Sequence, residues 1–484
     1  MGWDLLVITF APFAVSITCW WAPVALARAL SLASGVLSFV LALLLVPTSR
    51  TTAAAGWLRV DSLSVVFLVA VTFLYAATAV FAIGYVRPVG DSDAAARYSR
   101  RLFAGLNLFA WSMAMALLVN GLALLWVAIE VTTVVSALLV AIDDTDGATE
   151  AAWKYVLIAS MGLGVALLAT VVMYYAGSSV FGNAYELFYP KLLGAAGRFP
   201  AEVVRLSFVL AVLGYGTKMG LVPVHTWLPD AHSEAPTPVS ALLSGSLLAV
   251  SFYAILRFYQ VSVRAIGPTF PRDVLLAFGL ASLGLAALYL ASQRDMKRLF
   301  AYSSVEHMGV LAIGMSFSAP IAVVGVLLHV LAHAAAKGTA FFGAGSMMRK
   351  FGTKDMSRMQ GGVGALPWSG PMLVLAVLGL CALPPFGIFR SEFLIVSGGL
   401  SDPQDAVAAV LVVLVTLATL GLTWFSSQTM LTPTPDEVLR GETSLWIVGS
   451  MVIGLAALVV LGIHPPGQLS DLLTRAAHEL GSGS

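Results

Sequence analysis

Long apolar runs separated by short polar loops make up most of this 484-residue chain. A helix needs about 20 consecutive apolar residues to cross a bilayer, and runs near that length occur fourteen times. The pattern predicts an all-α polytopic membrane protein of about 14 transmembrane helices, with both termini on one side because the number of crossings is even. The predicted spans lie near residues 3–22, 29–46, 62–86, 104–120, 122–142, 153–175, 204–222, 237–260, 273–292, 298–316, 320–346, 368–389, 406–428 and 444–464.

Proline interrupts two of these spans. After Lys218 the chain reads LVPVHTWLPDAHSEAPTPV, and the end of the twelfth span reads LCALPPFGIF. Proline removes backbone donors, so neither stretch can face lipid with its polar groups unsatisfied. Interrupted helices at corresponding positions of two halves are a sequence sign of an ion site in transporters built from repeats. The five-span spacing predicts two inverted five-helix repeats, each with a broken helix.

This spacing predicts four segments along the chain. Three helices come before the two repeats, and one helix with a tail follows them. The segments are expected at residues 1–103 (N-terminal three-helix segment), 104–260 (first repeat), 261–428 (second repeat) and 429–484 (C-terminal transmembrane helix and tail).

Composition supports the membrane assignment. The chain is 59% hydrophobic and 11% charged, with a mean hydropathy of +0.91, whereas soluble domains carry roughly one-quarter charged residues. The net charge of +1 gives no indication of a nucleic-acid partner. Three dense lysine and arginine clusters, at 97–101, 294–298 and 349–358, all fall opposite the termini. The positive-inside rule therefore predicts that the termini face outward.

The sequence gives no sign of a redox centre. Its two cysteines, Cys19 and Cys381, lie far apart within apolar stretches, whereas iron–sulfur and structural zinc sites need clustered thiolates. We expect both to be small buried residues and expect no cofactor in this chain. The start MGWDLLVITFAPF lacks a basic n-region, so a cleavable signal peptide is not expected either.

Glu130 and Lys218 are ionisable residues within predicted spans, where charge is costly and usually functional. Glu130 lies near the middle of LALLWVAIEVTTVVSALLVAI, and Lys218 precedes the first helix break and is its expected partner. Moving the glutamate away from a desolvated lysine would release the lysine's proton, so a switchable pair would act as a proton valve. The alternatives are a static ion pair and a neutral glutamic acid that only packs helices.

Three ionisable residues share one helical face in the run LLHVLAHAAAKGTAFFG. His329, His333 and Lys337 follow one another at i, i+4 steps and form a stripe about 12 Å long. Histidine exchanges protons near neutral pH, so the stripe is a candidate proton relay. Histidines at this spacing can also share a zinc ion. We disfavour zinc because the next residue on that face is a lysine and no third acidic or thiol ligand adjoins.

Further ionisable residues extend these lines. Glu392, in FRSEFLIV after the second break, is expected at the outer end of the second line with Arg390 nearby; a surface glutamate is the alternative. Lys154 lies where its span begins, so it either takes part in the path or snorkels to the interface. Glu306 and His307 either form a half-channel or pair with each other. The first break supplies three more half-channel candidates, His225, Asp230 and His232.

The residues around the first break carry a family resemblance. The stretch GTKMGLVPVHTWLPDAHSEAPTPVSALLSG, residues 216–245, resembles the antiporter-like proton-channel subunits of respiratory complex I, Mrp cation/proton antiporters and membrane-bound nickel–iron hydrogenases. The likeness covers nearly all predicted spans. The stretches SVEHMG at 304–309 and LPPFGIFRSEF at 383–393 look more like the F-type component of hydrogenase-4 and formate hydrogenlyase than like complex I.

The resemblance implies a fourteen-helix core with a proton path in which Glu130 and Lys218 match the family's glutamate–lysine pair. It implies other membrane subunits and a peripheral redox module as partners, with nickel–iron and iron–sulfur centres in those partners. It also implies a bacterial inner membrane as the location. The matching positions of the second repeat are His329, His333, Lys337 and Glu392.

One position departs from the family pattern. Ala249, in LLSGSLLAVSFYAILR, stands where complex I subunits commonly carry a bridging lysine or histidine. Ser244 and Ser246 can hold water there but carry no exchangeable charge. Hydrogenase-type members resemble this chain in lacking that lysine. The gap leaves the link between the two halves, and pumping itself, open.

Three functions are compatible with these residues. In the first, redox chemistry in partner chains drives alternate protonation of Lys218 and Lys337 and moves protons across the membrane, which makes the chain a subunit of an oxidoreductase complex. The second is a sodium/proton antiporter subunit of the Mrp type. The third is a non-conducting scaffold for a redox module, which Ala249 supports. We favour the first because unused charge within a membrane is costly.

Overall fold

The computed structural model describes residues 2–48, 51–86, 93–401 and 404–481. Within them, regular structure is helical apart from one antiparallel hairpin of β1 (Thr51–Ala53) and β2 (Leu58–Val60), in which Thr51 pairs with Val60. The predicted all-α membrane class is confirmed.

The helices follow one another through short connections. Those before residue 267 are α1 Gly2–Cys19, α2 Val24–Leu45, α3 Ser62–Tyr85, α4 Asp93–Leu118, α5 Leu122–Val140, α6 Asp146–Phe181, α7 Tyr189–Ala195, α8 Ala201–Met219, α9 Trp227–Glu234, α10 Thr237–Leu242 and α11 Leu248–Ile266, with a π-helical segment, Leu243–Leu247, joining the last two. Those after it are α12 Thr269–Leu290, α13 Met296–Ser316, α14 Pro320–Phe351, α15 Gly362–Ala365, α16 Ser369–Leu380, α17 Gly387–Leu400, α18 Asp405–Met430, α19 Leu445–Ile463 and α20 Gly467–Glu479. Short 3₁₀ turns occur at Ala54–Gly56, Ala141–Asp143, Ala196–Arg198 and Met356–Arg358.

A helix occupies each of the fourteen predicted span positions. In the described part of the chain, eleven helices are long and apolar enough to cross a membrane. Helices α8, α13 and α16 are not among them: the first two carry ionisable residues, and α16 has 12 residues and stops at the second break. The protein is therefore a multi-pass membrane protein, and the count of fourteen stays a prediction.

Both proline-rich breaks interrupt helices where the sequence predicts them. Helix α8 ends at Met219 because Gly220 has a φ of +86°, a left-handed conformation that glycine adopts at little cost. The chain becomes helical again at Trp227. At the second break, α16 ends at Leu380 and α17 begins at Gly387. Helix α9 packs on α6 and α13, and α17 packs on α14, α18 and α19, so the broken backbone lies against protein.

Three helical segments form the centre of the bundle. The most apolar windows of α10–α11, α14 and α3 are 100%, 89% and 78% buried, whereas that of α18 is 22% buried. The outer surface carries large exposed apolar side chains such as Leu138, Met161, Leu288 and Leu417, as a lipid-facing surface requires. The histidine stripe on α14 therefore lies at the protein's centre, away from lipid.

The two ends of the bundle differ in charge. The basic clusters lie together at one end, where the Lys354 carbonyl accepts from the backbone N–H of Met296 at 3.2 Å and Arg349 donates to the Gly84 carbonyl at 2.7 Å. Helix α20 docks at the other end of α3, where Glu479 accepts from the backbone N–H groups that begin α3, and α1 packs on β1 there. The described chain ends thus share the end opposite the basic clusters.

Arg257 on α11 is a fully buried charge that the sequence pattern did not single out. Its guanidinium makes a two-pronged ion pair with Asp61, the residue before α3, at 2.7 and 2.8 Å. It also donates to Ser64 Oγ and Tyr253 OH at 2.8 Å and to Gln260 Oε1 at 2.9 Å. Burial by itself would raise the pKa of Asp61, but the Arg257 charge and hydrogen bonds outweigh it and hold that pKa well below its usual range.

Candidate functional site

Lys218, on α8, is fully buried and is held by helix α5. Its ammonium donates to the hydroxyl of Thr133 and, at 3.5 Å, to the carbonyl of Ile129. It also lies 5.4 Å from the ring centroid of Tyr155, a distance at which cation–π attraction operates. A lysine placed in this way has oxygen acceptors and an aromatic face in place of water.

Glu130 lies on α5 between the two acceptors of Lys218, but its carboxylate points elsewhere. One oxygen accepts from Ser160 Oγ of α6 at 3.1 Å, and the other has no partner within the described chain. Among described residues, no ion pair within 4.0 Å joins Glu130 to Lys218, although the two groups still interact electrostatically. The expected partners are therefore neighbours that are not in contact, and neither Ser160 nor Tyr155 stood out in the sequence.

Three histidines meet at the centre of the second half. His329 Nε2 lies 3.2 Å from His307 Nδ1, a hydrogen bond between α14 and α13. The ring of His333 lies 5.2 Å from that of His307 and 6.3 Å from that of His329, centroid to centroid. Neither nitrogen of His333 has a partner in the part of the chain described. The cluster thus joins the predicted stripe to a residue of another helix.

Lys337 and Glu306 form the inner end of this cluster. Lys337, two turns along α14 from His329, donates to the Phe300 carbonyl at 2.9 Å. Glu306 is 2% exposed and is the opposite charge that acts most strongly on Lys337. Glu306 and His307 are consecutive on α13, but Glu306 interacts electrostatically with Lys337, whereas His307 contacts His329 and Glu392. Both are buried, so neither lies at a surface opening. Both belong to the buried core of the second half.

Glu392, on α17, lies at the outer end of the cluster. Its Oε1 is 3.9 Å from His307 Nδ1, and the side chain is mostly buried, so the surface alternative is wrong. It lines a cavity of about 230 Å³ together with Cys381, Thr416 and Thr419. Arg390 turns away from it and donates to the Ile463 carbonyl at 3.1 Å.

A second cavity, of about 290 Å³, gathers charged residues at the basic end of the bundle. Lys154 lies there, half exposed, 2.6 Å from Glu150 and 3.6 Å from Asp230, and Arg298 is 2.9 Å from the same aspartate. These are surface ion pairs, so Lys154 and Asp230 occupy a polar vestibule instead of the buried line. His225, nearly buried, has its ring 6.5 Å from that of Tyr302.

His232 is the most buried of the three half-channel candidates at the first break. It is fully buried on α9, its ring stacks on Phe341 of α14 at 5.5 Å, and neither of its nitrogens has a partner in residues 2–48, 51–86, 93–401 or 404–481. Lys337 is the charge that acts most strongly on it. The histidine after the first break thus contacts the helix that carries the second half's stripe.

The segment around Ala249 joins the two halves through hydroxyl groups. Ala249 is buried, and the π-helical turn before it contains Ser244 and Ser246. Ser244 Oγ lies 2.7 Å from Ser304 Oγ of α13. π-helical turns are rare and occur frequently at functional sites. No ionisable side chain stands at the position of the missing lysine, as the sequence indicated.

Known proteins resemble this chain over the region that contains both helix breaks. The family described as "NADH:quinone oxidoreductase/Mrp antiporter, TM" matches residues 119–421. A "Hydrogenase-4 component F homolog" of Methylacidiphilum infernorum is 37% identical over 352 residues, 71% of this chain and 72% of that protein. "Hydrogenase-4 component B" of Escherichia coli is 30% identical over 349 residues, 69% of this chain but half of that longer protein.

A solved structure shares the fold over its whole length. A chain of the Mrp complex from a Dietzia species superposes with a TM-score of 0.85 at 19% identity, covering 99% of this chain and 98% of that chain. At that identity the likeness concerns the fold alone. The family match, which spans both helix breaks and both ionisable clusters, shows that this chain belongs to the NADH:quinone oxidoreductase/Mrp antiporter transmembrane family.

Proposed function

We propose that this chain is the proton-translocating membrane subunit of a hydrogenase-4-like or complex I-like redox complex. The observation that carries the proposal is the hydrogen bond of 3.2 Å between the fully buried His307 and His329, within a row of ionisable groups that runs from Lys337 to Glu392. Burying so many ionisable groups in a membrane protein is costly, and such residues usually serve transport. The resemblance to hydrogenase-4 components supports this choice.

Proton movement in the second half uses the histidine cluster. Neutral imidazole accepts a proton at one nitrogen and donates from the other, so the His307–His329 bond can pass a proton between α13 and α14. Lys337 stores a proton at the inner end, where Glu306 stabilises its charge, and Glu392 exchanges protons at the cavity. In the first half, Lys218 stores the proton and Glu130 controls its release.

His232 offers a route between the halves that needs no lysine at position 249. The histidine belongs to the first broken helix, yet its ring lies on Phe341, one turn beyond Lys337 on α14. Its two nitrogens have no hydrogen-bond partner among the described residues and can bind water or a proton. The hydroxyls of Ser244 and Ser304, 2.7 Å apart, are further groups between the two halves that can bind water. The missing lysine is thus compatible with a joined path.

The proposal includes an assembly and an orientation. The two breaks support inverted repeats at residues 104–260 and 261–428, between an N-terminal segment, 1–103, and a C-terminal helix and tail, 429–484. The basic clusters face the cytoplasm of a bacterial cell, and the chain ends lie outside its inner membrane. Other membrane subunits and a peripheral module are the partners, and nickel–iron or iron–sulfur centres belong to them.

Proton uptake by vesicles that contain the assembled complex tests this function. The Lys218→Ala variant should lose proton uptake at equal redox turnover, because a proton store at the centre of the first half is removed. Lys191→Ala is the matched control, since Lys191 is partly exposed at the surface, where it pairs with Glu186 and lies over the rings of Phe181 and Tyr185. Equal uptake by wild type and Lys218→Ala would overturn the proposal.

A non-conducting scaffold is the second candidate, and buried Ala249 favours it. In that case the double variant Glu130→Gln with Lys218→Ala would still couple redox turnover to uptake through another subunit.

Repeating the measurement with sodium present and absent tests the antiporter function. Uptake that requires a sodium gradient would assign the chain to sodium/proton exchange.

A further inference from the structure

His307, His329 and Glu392 come from three different helices and aim their ligand atoms at one point. His307 Nδ1 is 3.2 Å from His329 Nε2 and 3.9 Å from Glu392 Oε1, and all three atoms lie within 4.8 Å of one another. The expectation that no acidic ligand adjoins the histidines was wrong, because α17 brings Glu392 to them from more than sixty residues away. This trio is the triad discussed below.

From this geometry we infer that the triad is a binding site for a divalent transition-metal ion of the zinc class. Two imidazole nitrogens and one carboxylate are a recurrent three-ligand set for zinc, with a fourth position left for water. At Zn–N distances of 2.0–2.1 Å, tetrahedral ligand atoms lie about 3.4 Å apart. The distance of 3.2 Å is close to this value, whereas the Glu392 oxygen, 3.9 Å from His307 Nδ1 and within 4.8 Å of His329 Nε2, would have to move closer to both nitrogens.

Ser391 holds His329 in the tautomer that a metal needs. Its hydroxyl donates to the Ile388 carbonyl at 2.8 Å and therefore accepts from His329 Nδ1–H at 3.0 Å. The other ring nitrogen, Nε2, then carries the lone pair, faces the triad and accepts the 3.2 Å hydrogen bond from His307 Nδ1–H. A metal ion would displace that Nδ1 proton and bind His307 in the tautomer that is protonated at Nε2. Metal-binding histidines commonly have such a second hydrogen bond, which fixes the ring and its tautomer.

One ligand atom of the triad has no hydrogen-bond partner. Glu392 is only 9% exposed, and its buried Oε1 has no hydrogen-bond partner within the described chain. A buried carboxylate without a partner is costly, and coordination to a cation would offset that cost. Lys337 is the neighbouring positive charge, about 12 Å along α14 from His329. Its charge acts on His307 and His329 against a second cation, and Glu306 and the Glu392 carboxylate are the opposing charges.

The cavity beside Glu392 gives the ion space. It has a volume of about 230 Å³, and its lining includes the hydroxyl-bearing Thr416 and Thr419 of α18. A water molecule needs roughly 30 Å³, so the cavity can hold a hydrated ligand next to the carboxylate. The triad thus supplies three ligands of the right chemical type, a supporting hydrogen bond and adjacent space.

Metal binding would block the second half of the proton path. The coordinated nitrogens of His307 and His329 have no lone pair left for a proton, and Glu392 is held in place. Micromolar zinc should therefore inhibit proton uptake from the Glu392 side. This inhibition rests on the proposed function, whereas binding of the metal does not.

Zinc titration of the purified full-length chain tests the site. The protein is freed of affinity-tag histidines and treated with a chelator, and Zn²⁺ is titrated against a competing fluorescent indicator. We expect one high-affinity ion per chain, and a visible absorption spectrum of tetrahedral type with Co²⁺. His307→Gln, His329→Gln and Glu392→Gln should each weaken Zn²⁺ binding by about 100-fold or more, above the 10–100-fold typical of supporting residues.

Three further variants make the assignment specific. Ser391→Ala keeps all three ligands and should weaken binding by about 10–100-fold, so it remains informative if a ligand variant does not fold. His333→Gln, from the same cluster, and His464→Ala, an exposed histidine after α19, should bind as wild type does. Absence of stoichiometric binding, binding unchanged in the ligand variants, or binding lost in His333→Gln would each overturn the site. Proton uptake without metal separately tests the proposed function.

Discussion

Two groups of buried charges in this protein differ in how fully their hydrogen-bonding atoms are used. Around Arg257, the two terminal guanidinium nitrogens meet a carboxylate in a two-pronged contact and donate to three more acceptors, all at 2.7–2.9 Å, and only the Nε has no partner among the described residues. Around His333, both ring nitrogens lack partners within the described residues, as does one nitrogen of His307. Both groups are almost entirely inaccessible to solvent.

The difference separates charges that hold the fold from groups suited to moving protons. A guanidinium remains charged, and its bonds to Asp61 join α11 to the start of α3 in one fixed arrangement. An imidazole or amine with an unused atom can gain or lose a proton without breaking an existing bond. The distinction holds for each group as a whole: the histidine cluster keeps unused nitrogens on His333 and His307 although His329 is fully bonded, whereas both terminal nitrogens of Arg257 are bonded and only its Nε lacks a partner among the described residues.

The largest expected effect is the loss of stability when the Arg257 pair is broken. Asp61→Asn leaves a buried guanidinium without its counter-charge and should lower the free energy of unfolding by about 3–5 kcal/mol. Denaturant unfolding of the purified chain measures it. Asp436→Asn, at an exposed loop position, should change stability by less than about 0.5 kcal/mol.

Proton uptake per folded molecule should be unchanged in Asp61→Asn. If uptake instead fell while stability was kept, the Arg257 group would belong to the path, and completeness of hydrogen bonding would not separate the two roles.

Glu306→Gln should show the opposite pattern. The amide has nearly the same shape but cannot exchange protons or oppose the charge of Lys337, so proton uptake should fall by about 100-fold, the lower end of what a positioned acid or base contributes. Unfolding should be affected less than in Asp61→Asn. Vesicle uptake and denaturant unfolding, measured on the same preparation, give both values.

Glu437→Gln is the matched control for that variant, because Glu437 is exposed in the loop after α18. Should Glu306→Gln destabilise the protein as much as Asp61→Asn and leave uptake intact, Glu306 would be a structural charge.

Sequence spacing predicted the parts of this arrangement that are local. The i, i+4 steps placed His329, His333 and Lys337 on one face, and the prolines placed both breaks, because helical period and missing backbone donors act within a few residues. Contacts between distant segments could not be predicted in this way. Arg257 meets Asp61 across 196 positions of sequence, and helix packing alone decides such pairs.

The candidate site shows the same limit. Glu130 and Lys218 were predicted as partners, but the Lys218 side chain bonds to other residues of α5 and the Glu130 carboxylate bonds to Ser160 of α6. Which atoms touch depends on rotation about each helix axis, and that rotation gives Lys218 a hydroxyl and a carbonyl of α5 instead of the carboxylate. Likewise, Ser391 and Glu392 reach His329 and His307 only because α17 packs on α14.

The smallest expected effect concerns Lys218, whose bonding lies between the two extremes. Thr133→Val keeps the side-chain shape but removes the hydroxyl that accepts from Lys218, leaving the Ile129 carbonyl at 3.5 Å. Loss of one hydrogen bond to a charged group should destabilise the chain by about 1.5–3 kcal/mol if Lys218 is a fixed charge. If Lys218 can give up its proton instead, the loss of stability should be below about 1 kcal/mol, with uptake lowered several-fold.

Thr132→Val is the control, because the hydroxyls of Thr132 and Thr133 both bond to the Ile129 carbonyl and only that of Thr133 reaches Lys218. Unfolding and uptake of the two variants, compared at one pH, separate the cost of a lost helix-surface bond from the cost at the lysine. Equal behaviour of the two variants in both measurements would mean that Thr133 does not position Lys218. A proton store can lose one acceptor at little cost because its neutral amine no longer requires it, whereas a permanent cation cannot.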